Sequence, residues 1–577
     1  MKYILSFLVR PIVQQPLLFL FIVLLLSIPG WLFITNFQEN PIVKTICWFI
    51  FITGLPALIS WFVCIVNNKL LTFVTCFICL FLFSINIFLI FNFDSMISPW
   101  ILLLCHETNK NESTEFINNY FFSSHSIFAY LLTLIIIILF VITKNKKYSL
   151  RINHPKIIAP IISIWLIVGF IQLLMLCNMF TKKTQYELQL WYQGKAFYAI
   201  ENTLSNLIYS IYHLSLTTDE NNIAINTCIK ASKTVAKCID SDSLDIVVII
   251  GESFSKHHAS LYGYGLETTP NMKKEQLQGN LFVFTDAITP YNMTTLAVKN
   301  MTSTNSISLG QYWTDYPPFT IIFKQAGFNV AMWDNQKAIG NVSFHDFSIS
   351  SYLHSKKMTK LAYDVVNEKV YDDDLEFVNY TFQHKINKRH TLTIYHLLGQ
   401  HLQAKCRYPN NKENTVFTAN HINRPDLNTQ ERQSIAEYDN ATRYNDYTIS
   451  KIFNYYRNRC AAIVYLSDHG EEVYDYRHVI GRTHEPEKNK LSLTYQYQIP
   501  LMIWCSDRYK QRNPDIVSKI ENAINKPFIS DNLPHIVFTL GSIKTPYYCP
   551  EKDLLNNRYQ CGKRVVQNTT DYDELIR

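Results

Sequence analysis

Residues 244–260 read LDIVVIIGESFSKHHAS. Leu244 to Ile250 is a run rich in β-branched apolar residues, the pattern of a strand buried on both faces of a parallel sheet. Gly251 breaks the run, and a carboxylate, Glu252, stands where the strand should end. In open α/β sheets the crevice beyond the strand carboxyl ends is where ligands bind. A second stretch repeats the form: Ala461–Leu466 runs into Ser467, Asp468, His469 and Gly470. Two strand-end loops therefore offer Glu, Asp and His as candidate metal ligands.

The chain of 577 residues is long enough for several domains, and its apolar residues concentrate before residue 181. That asymmetry separates a membrane half from a soluble half. The formal net charge of +7 is modest for this length, and no long Lys/Arg block or nucleic-acid motif is present, so no nucleic-acid partner is expected. Seven of the 13 cysteines lie beyond the apolar half. The close pairs Cys228/Cys238 and Cys549/Cys561 suit either small-loop disulfides in an oxidising compartment or reduced, buried thiols.

Five apolar stretches, at about Leu17–Thr35, Thr45–Val66, Leu70–Phe91, Ser126–Thr143 and Ile157–Phe180, approach the ~20 residues needed to cross a bilayer core. The first is too long for the apolar region of a signal peptide. Lys2, Arg10, Lys69 and the cluster Lys144, Lys146, Lys147, Arg151 and Lys156 mark the loops of one side. The alternate loop 92–125 carries Lys110 against Asp94, Glu107, Glu112 and Glu115. The positive-inside rule then places the N-terminus in the cytoplasm and everything after Phe180 outside it. The spans carry few ionisable residues, which argues against a transporter.

The expected organisation is residues 1–180 as a five-helix membrane domain, 181–243 as an amphipathic bridge and linker, and 244–577 as a catalytic domain. In the bridge, Trp191, Tyr192, Phe197, Tyr198, Tyr209 and Tyr212 suit a headgroup layer or packing against the soluble part; residues 217–243 read as a polar linker. Beyond 244, a helix at Phe319–Ala326 precedes a strand at Phe328–Trp333. Thr391–Tyr395, Ala461–Leu466 and Ile499–Trp504 are further strand-like runs. The alternation predicts an α/β domain with helices on both faces of a mostly parallel central sheet.

Mixed oxygen and nitrogen donors such as Glu252, Asp468 and His469 suit a catalytic zinc site with room for a further group. The stretch TPYNMTTLAVKNMTS at Thr289–Ser303 offers Thr294 and Thr295 at an expected helix start. A threonine there serves either as a helix cap or, once a metal lowers its pKa, as a nucleophile. His396 and His401 bracket HLLGQH after an expected strand, and His484 stands in GRTHEP. These histidines could bind phosphate, donate a proton or hold a second metal. His257, His258 and His478 are read as surface or supporting residues.

The segments GESFSKHHASLYGYGLETTPNM, TPYNMTTLAVKNMTS, HLLGQH and SDHGEE, in this order, resemble the membrane-bound phosphoethanolamine transferases that modify bacterial lipopolysaccharide. Those enzymes belong to the alkaline phosphatase and sulfatase-like superfamily. The resemblance implies a multi-pass α-helical membrane domain followed by a sulfatase-like α/β domain, in the bacterial inner membrane with the catalytic part in the periplasm. It implies Zn2+ held by Glu252, Thr294, Asp468 and His469, with Thr294 as the nucleophile and Thr295 as the alternative. His401 and His484 match family histidines that contact the phosphoryl group or an additional zinc and are the catalytic candidates, and the segment WDNQ resembles a substrate-contacting stretch, with Asn335 as its candidate. His396 joins them as a substrate-binding candidate from its place at the start of HLLGQH. The implied donor is phosphatidylethanolamine and the acceptor lipopolysaccharide, at lipid A or a core sugar, handled by a monomer; the product would resist cationic antimicrobial peptides. Rival readings are a related phosphotransferase with another lipid donor or a periplasmic glucan acceptor, and a non-catalytic membrane sensor.

Overall fold

The computed structural model describes residues 2–34, 42–93, 95–107, 121–144, 155–193, 200–337, 347–384, 388–401, 403–482 and 489–576. The chain divides into two compact units, Met1–Asp219 and Glu220–Arg577.

The first unit is helical: α1 (Lys2–Gln14), α2 (Pro16–Ile34), α3 (Ile42–Val66), α4 (Lys69–Phe93), α5 (Ser124–Lys144) and α6 (Pro155–Met179) carry its apolar stretches. Four helices are long and apolar enough to cross a membrane, and α1 and α2, bent by 90° at their junction, bring the number to five if they form one span. Pro56 within α3 cannot donate to the backbone carbonyl a turn earlier. The local break is met by α6: Gln172 Oε1 accepts from Leu55 N at 2.8 Å while its Nε2 donates to Phe51 O at 2.6 Å. Gly54 and Gly169 allow this approach, because a Cβ on Gly169 would lie 2.3 Å from Gly54 O.

A further helix, α7 (Thr203–Ala231), runs on where a polar linker was expected from residue 217, and the division between the units falls within it. Trp191 and Tyr192 stack on Tyr209, with centroids 6.3 and 5.4 Å apart, whereas Phe197 and Tyr198 lie outside the described residues. Cys228, Cys238, Cys549 and Cys561 are free thiols, which decides against the disulfide reading. Cys228 is buried on α7 beside Tyr352, whereas Cys238 Sγ faces the carbonyls of Asp240 and Gly541, each at 3.6 Å.

The second unit is built on a sheet of seven strands: β1 (Leu244–Gly251), β2 (Leu281–Phe284), β3 (Asn329–Asp334), β4 (Val365–Val366), β5 (His390–His396), β6 (Ala461–Ser467) and β7 (Leu501–Cys505). Their spatial order is β2-β7-β6-β1-β5-β3-β4. Pairings from β6 through β4 are parallel, and β7 runs antiparallel to both β6 and β2. The sheet is thus mostly parallel, as its apolar runs predict; the short strands β2 and β4 had no recognisable pattern of their own. All eight residues of β1 are buried. Val247 and Ile249 pack with Ile449, Ile452 and Phe453 of a long helix on one side of the sheet.

Register sets up the site. Gly251 of β1 aligns with Ser467 of β6, and Ile250 aligns with His396 of β5, which in turn aligns with Asp334 of β3. Glu252 and Asp468 therefore leave the sheet side by side. Because Ile249 is fully buried at the centre of this core, Ile249→Ala should destabilise the unit by about 2–5 kcal/mol, read as a lowered thermal unfolding midpoint of the detergent-solubilised chain.

Candidate metal centre

Two strand ends and one helix start supply the site. Beyond β1, Ser253 takes a left-handed conformation (φ 56°), uncommon for a residue with a Cβ. The turn points Ser253 N at Asp468 Oδ1, 3.1 Å away, while Ser253 Oγ donates to Glu252 Oε1 at 2.7 Å. Beyond β6, His469 N also donates to Asp468 Oδ1, at 2.8 Å. Glu252, Asp468 and His469 are fully buried, and their ligating atoms all fall within 4.8 Å of one another.

The nucleophile candidate completes the cluster. Helix α8 (Thr294–Thr302) is capped by Met293, not by a threonine, so the hydroxyl of Thr294 makes no capping bond and is available to the site. Thr294 Oγ1 lies 3.1 Å from Glu252 Oε2 and 3.1 Å from His469 Nε2. Thr295, the alternative, is a buried residue on the same helix. The N-terminus of α8 also directs unpaired N–H groups and partial positive charge toward whatever Thr294 reacts with.

Two buried carboxylates so close together require positive charge. Burial acts to raise the Glu252 carboxyl, yet His469, His401 and Arg482 outweigh it and hold it well below the usual carboxylate range. Burial and Arg482 lower the His469 imidazole, but Asp468 and Glu252 overcome them and push it up to about 9. Asp468 Oδ2 is buried with no hydrogen-bond partner among the described residues, although it approaches His469 Nε2 at 2.9 Å. Two buried carboxylates and an imidazole nitrogen converging within 4.8 Å are the donor set of a divalent cation, so these residues fit a metal. Arg482 borders the same point: its Nη1 contacts the His469 ring and donates to Asn292 O at 3.1 Å, and its Nε lies 3.3 Å from Glu471 Oε2.

The other sequence candidates separate. His396 is fully buried, with Nδ1 3.2 Å from Asp334 Oδ1 and Nε2 3.2 Å from the Gln336 amide; Asp334 overcomes the effect of burial and raises its pKa. It stands one layer behind the ligands. His401 lies where the charges of Glu252 and Asp468 act on it, and burial lowers its pKa. Asn335 is spent on the scaffold: its Nδ2 donates to Asp374 Oδ1 at 2.9 Å and its Oδ1 accepts from Tyr371 N at 2.8 Å. Its neighbour Gln336 is the residue of WDNQ that reaches Glu252, at 3.3 Å. His484 lies outside the described residues.

Sequence reasoning missed most of the support. A 28-residue helix, α9 (Thr429–Tyr456), opens with a capping box between Asn428 and Glu431 and passes behind the Glu252 turn. Its Tyr438 OH donates to Ser253 O at 2.5 Å and accepts from Ser255 N at 2.8 Å. Next to it, Asp439 Oδ1 lies 2.7 Å from His258 Nδ1, and Asp475 Oδ1 lies 3.5 Å from His258 Nε2. His258 is thus a buried clasp between α9 and the loop after His469. The capping box was the available signal for α9. On the other flank, Gln567 (φ 52°) donates from Nε2 to Asn292 Oδ1 and Tyr497 OH, both at 2.8 Å, and so steadies the turn before Thr294.

The sequence profile of the Sulfatase family matches residues 245–542, slightly more than half of the chain, and the chain belongs to that family. Within it, the chain is 27% identical over 507 residues to phosphoethanolamine transferase EptC of Escherichia coli K12, covering 83% of this chain and 81% of that one. It is 26% identical over 300 residues to the Kdo(2)-lipid A phosphoethanolamine 7''-transferase of Salmonella typhimurium, covering 50% of this chain and 49% of that one. Among solved structures, the C-terminal periplasmic domain of E. coli EptC superimposes with a TM-score of 0.52 at 26% identity, covering 59% of this chain and 96% of that domain. The same domain in complex with Zn gives a TM-score of 0.51 at 25% identity.

Two outcomes follow from this geometry. Gly399 has φ +49°, and a Cβ there would lie 2.8 Å from Glu252 O and 2.9 Å from Glu252 N; Gly399→Ala should therefore displace Glu252 and lower the metal content of the purified protein, read by elemental analysis. His258 is buried, and although burial lowers its pKa, Asp439 and Asp475 overcome that and push it up from 6.5 to about 10. A raised folded-state pKa gives stability that is full below the unfolded value and is lost as pH rises through the folded one. The unfolding midpoint should fall between pH 6.5 and 10, and His258→Gln should flatten that dependence.

Proposed function

We propose that this chain is a zinc-dependent phosphoethanolamine transferase that takes the head group of phosphatidylethanolamine and places it on lipopolysaccharide. One observation carries the reading: Thr294 Oγ1 stands 3.1 Å from both Glu252 and His469 at a buried donor cluster. The similarity to EptC, and the zinc complex of the EptC domain, support the transferred group and the metal. We assign residues 1–180 to the membrane, 181–243 to a bridge and 244–577 to catalysis, in an inner-membrane protein acting as a monomer with its catalytic part in the periplasm. The apolar helices of the first unit suit a substrate that is itself a membrane lipid.

Zinc held by Glu252, Thr294, Asp468 and His469 would lower the pKa of the threonine hydroxyl and offset charge on the phosphoryl oxygens. Thr294 Oγ attacks phosphorus as its proton passes to a neutral imidazole, for which His401 is our candidate, and the bond from phosphorus to the glycerol oxygen breaks. Diacylglycerol leaves with that same proton on its oxygen. The phosphoethanolamine group is then carried as an ester of Thr294. An acceptor hydroxyl attacks the same phosphorus, the bond to Thr294 Oγ breaks, and the proton given up by the acceptor restores the Thr294 hydroxyl. The N-terminus of α8 favours the anionic group throughout.

Incubation with phosphatidylethanolamine should add one phosphoethanolamine mass to the peptide containing Thr294, detected by mass spectrometry. Thr294→Ala should abolish the adduct and reduce transfer by about 10³-fold or more, whereas Thr295→Ala should keep it. Lipopolysaccharide from cells expressing the chain should carry the same added mass. Labelling of Thr294 by a different lipid head group, with none from phosphatidylethanolamine, would overturn the donor assignment.

A further inference from the structure

We infer that Gln336 is a positioning residue for the metal ligand Glu252. The inference rests on the zinc-site reading above but not on which group is transferred. Gln336 follows β3 at the carboxyl edge of the sheet and is fully buried. Its Nε2 lies 2.8 Å from Leu397 O, 3.3 Å from Glu252 Oε2 and 3.2 Å from His396 Nε2. A carbonyl and a carboxylate both need a donor, so only the NH2 end of the amide can face them. Gln336 Oε1 is buried with no hydrogen-bond partner among the described residues. A side chain kept only to fill space would not leave a buried acceptor unpaired, since an apolar one of equal length fills that space without the loss. What the amide adds is two directed N–H bonds, one to the backbone and one to the ligand.

The anchor is rigid. Gln336 N donates to Asp334 Oδ1 at 2.9 Å, and Asp334 also meets His396 Nδ1 at 3.2 Å and His354 Nε2 at 2.6 Å. Glu252 is therefore gripped at both oxygens: Ser253 Oγ donates to Oε1, while Gln336 and Thr294 meet Oε2. Such outer hydrogen bonds fix the rotation of a ligating carboxylate, and their loss typically weakens metal binding 10–100-fold.

The test uses the full-length protein in detergent, with zinc affinity measured by competition against a chromophoric chelator. Gln336→Met, similar in length but without the donor, should bind zinc about 10–100-fold more weakly, keep its metal-free unfolding midpoint, and recover kcat when zinc is raised. Unchanged zinc affinity in Gln336→Met overturns the inference. Should that variant not fold, Gln336→Asn, one methylene too short to reach Glu252, is judged by the same measurement. Asp468→Asn reports the site itself by losing zinc. Zinc binding that weakens as expected in a parent protein unable to transfer phosphoethanolamine would sustain this inference while removing the transfer reading.

Discussion

Glu252 and Asp468 are buried side by side with an imidazole between them, and the rest of the site answers that arrangement. Like charges in a low-dielectric interior repel strongly unless a cation or directed hydrogen bonds compensate them. Here both kinds of compensation are present. Asp468 Oδ1 collects the N–H groups of Ser253 and His469, and Glu252 collects the Ser253 hydroxyl and the Gln336 amide. The remaining Asp468 oxygen faces inward and, among the described residues, meets the His469 imidazole at 2.9 Å. A divalent cation would meet what is left over, and, on the reading proposed above, would make the hydroxyl beside it a competent nucleophile for the same electrostatic reason.

The precision of the cluster comes from the backbone more than from the ligands. Parallel register aligns Gly251 with Ser467, so two carboxylates emerge at one height without any long side chain having to reach. The left-handed Ser253 then folds the chain back sharply, and Tyr438 of α9 grips that turn on both its carbonyl and N–H sides. Glycines are placed where backbone must approach backbone: a Cβ on Gly470 would lie 2.3 Å from Tyr495 O, and one on Gly399 would press on Glu252. The frame is therefore held by main-chain contacts that tolerate little displacement, as a preorganised site requires.

The helical unit shows the corresponding logic in an apolar setting. Backbone groups that water cannot reach must be paired within the protein. Gln172 serves α3 near its proline, and the glycine pair makes room for it. A polar side chain that serves neighbouring backbone has a structural role, which agrees with the scarcity of ionisable groups in these stretches.

The sequence by itself determined the apolar first part, the central strands and which residues meet at the cluster. Long apolar runs can only be membrane or core, β-branched runs ending in Glu or Asp-His mark strand ends, and Thr294 at a helix start lies where phosphate chemistry is favoured. Tertiary structure decided what depends on partners distant in the chain. Asn335 and Gln336 are indistinguishable as a dipeptide, yet one amide is spent on Asp374 and Tyr371 while the other reaches Glu252. His258 looked peripheral and is a clasp between two acids, because Asp439 and Asp475 are contributed by segments some 180 and 217 residues further along the chain. Cysteines close in sequence remained free for the converse reason: chain proximity says nothing about which way a side chain faces, and Cys228 packs beside Tyr352 while Cys238 faces the carbonyls of Asp240 and Gly541.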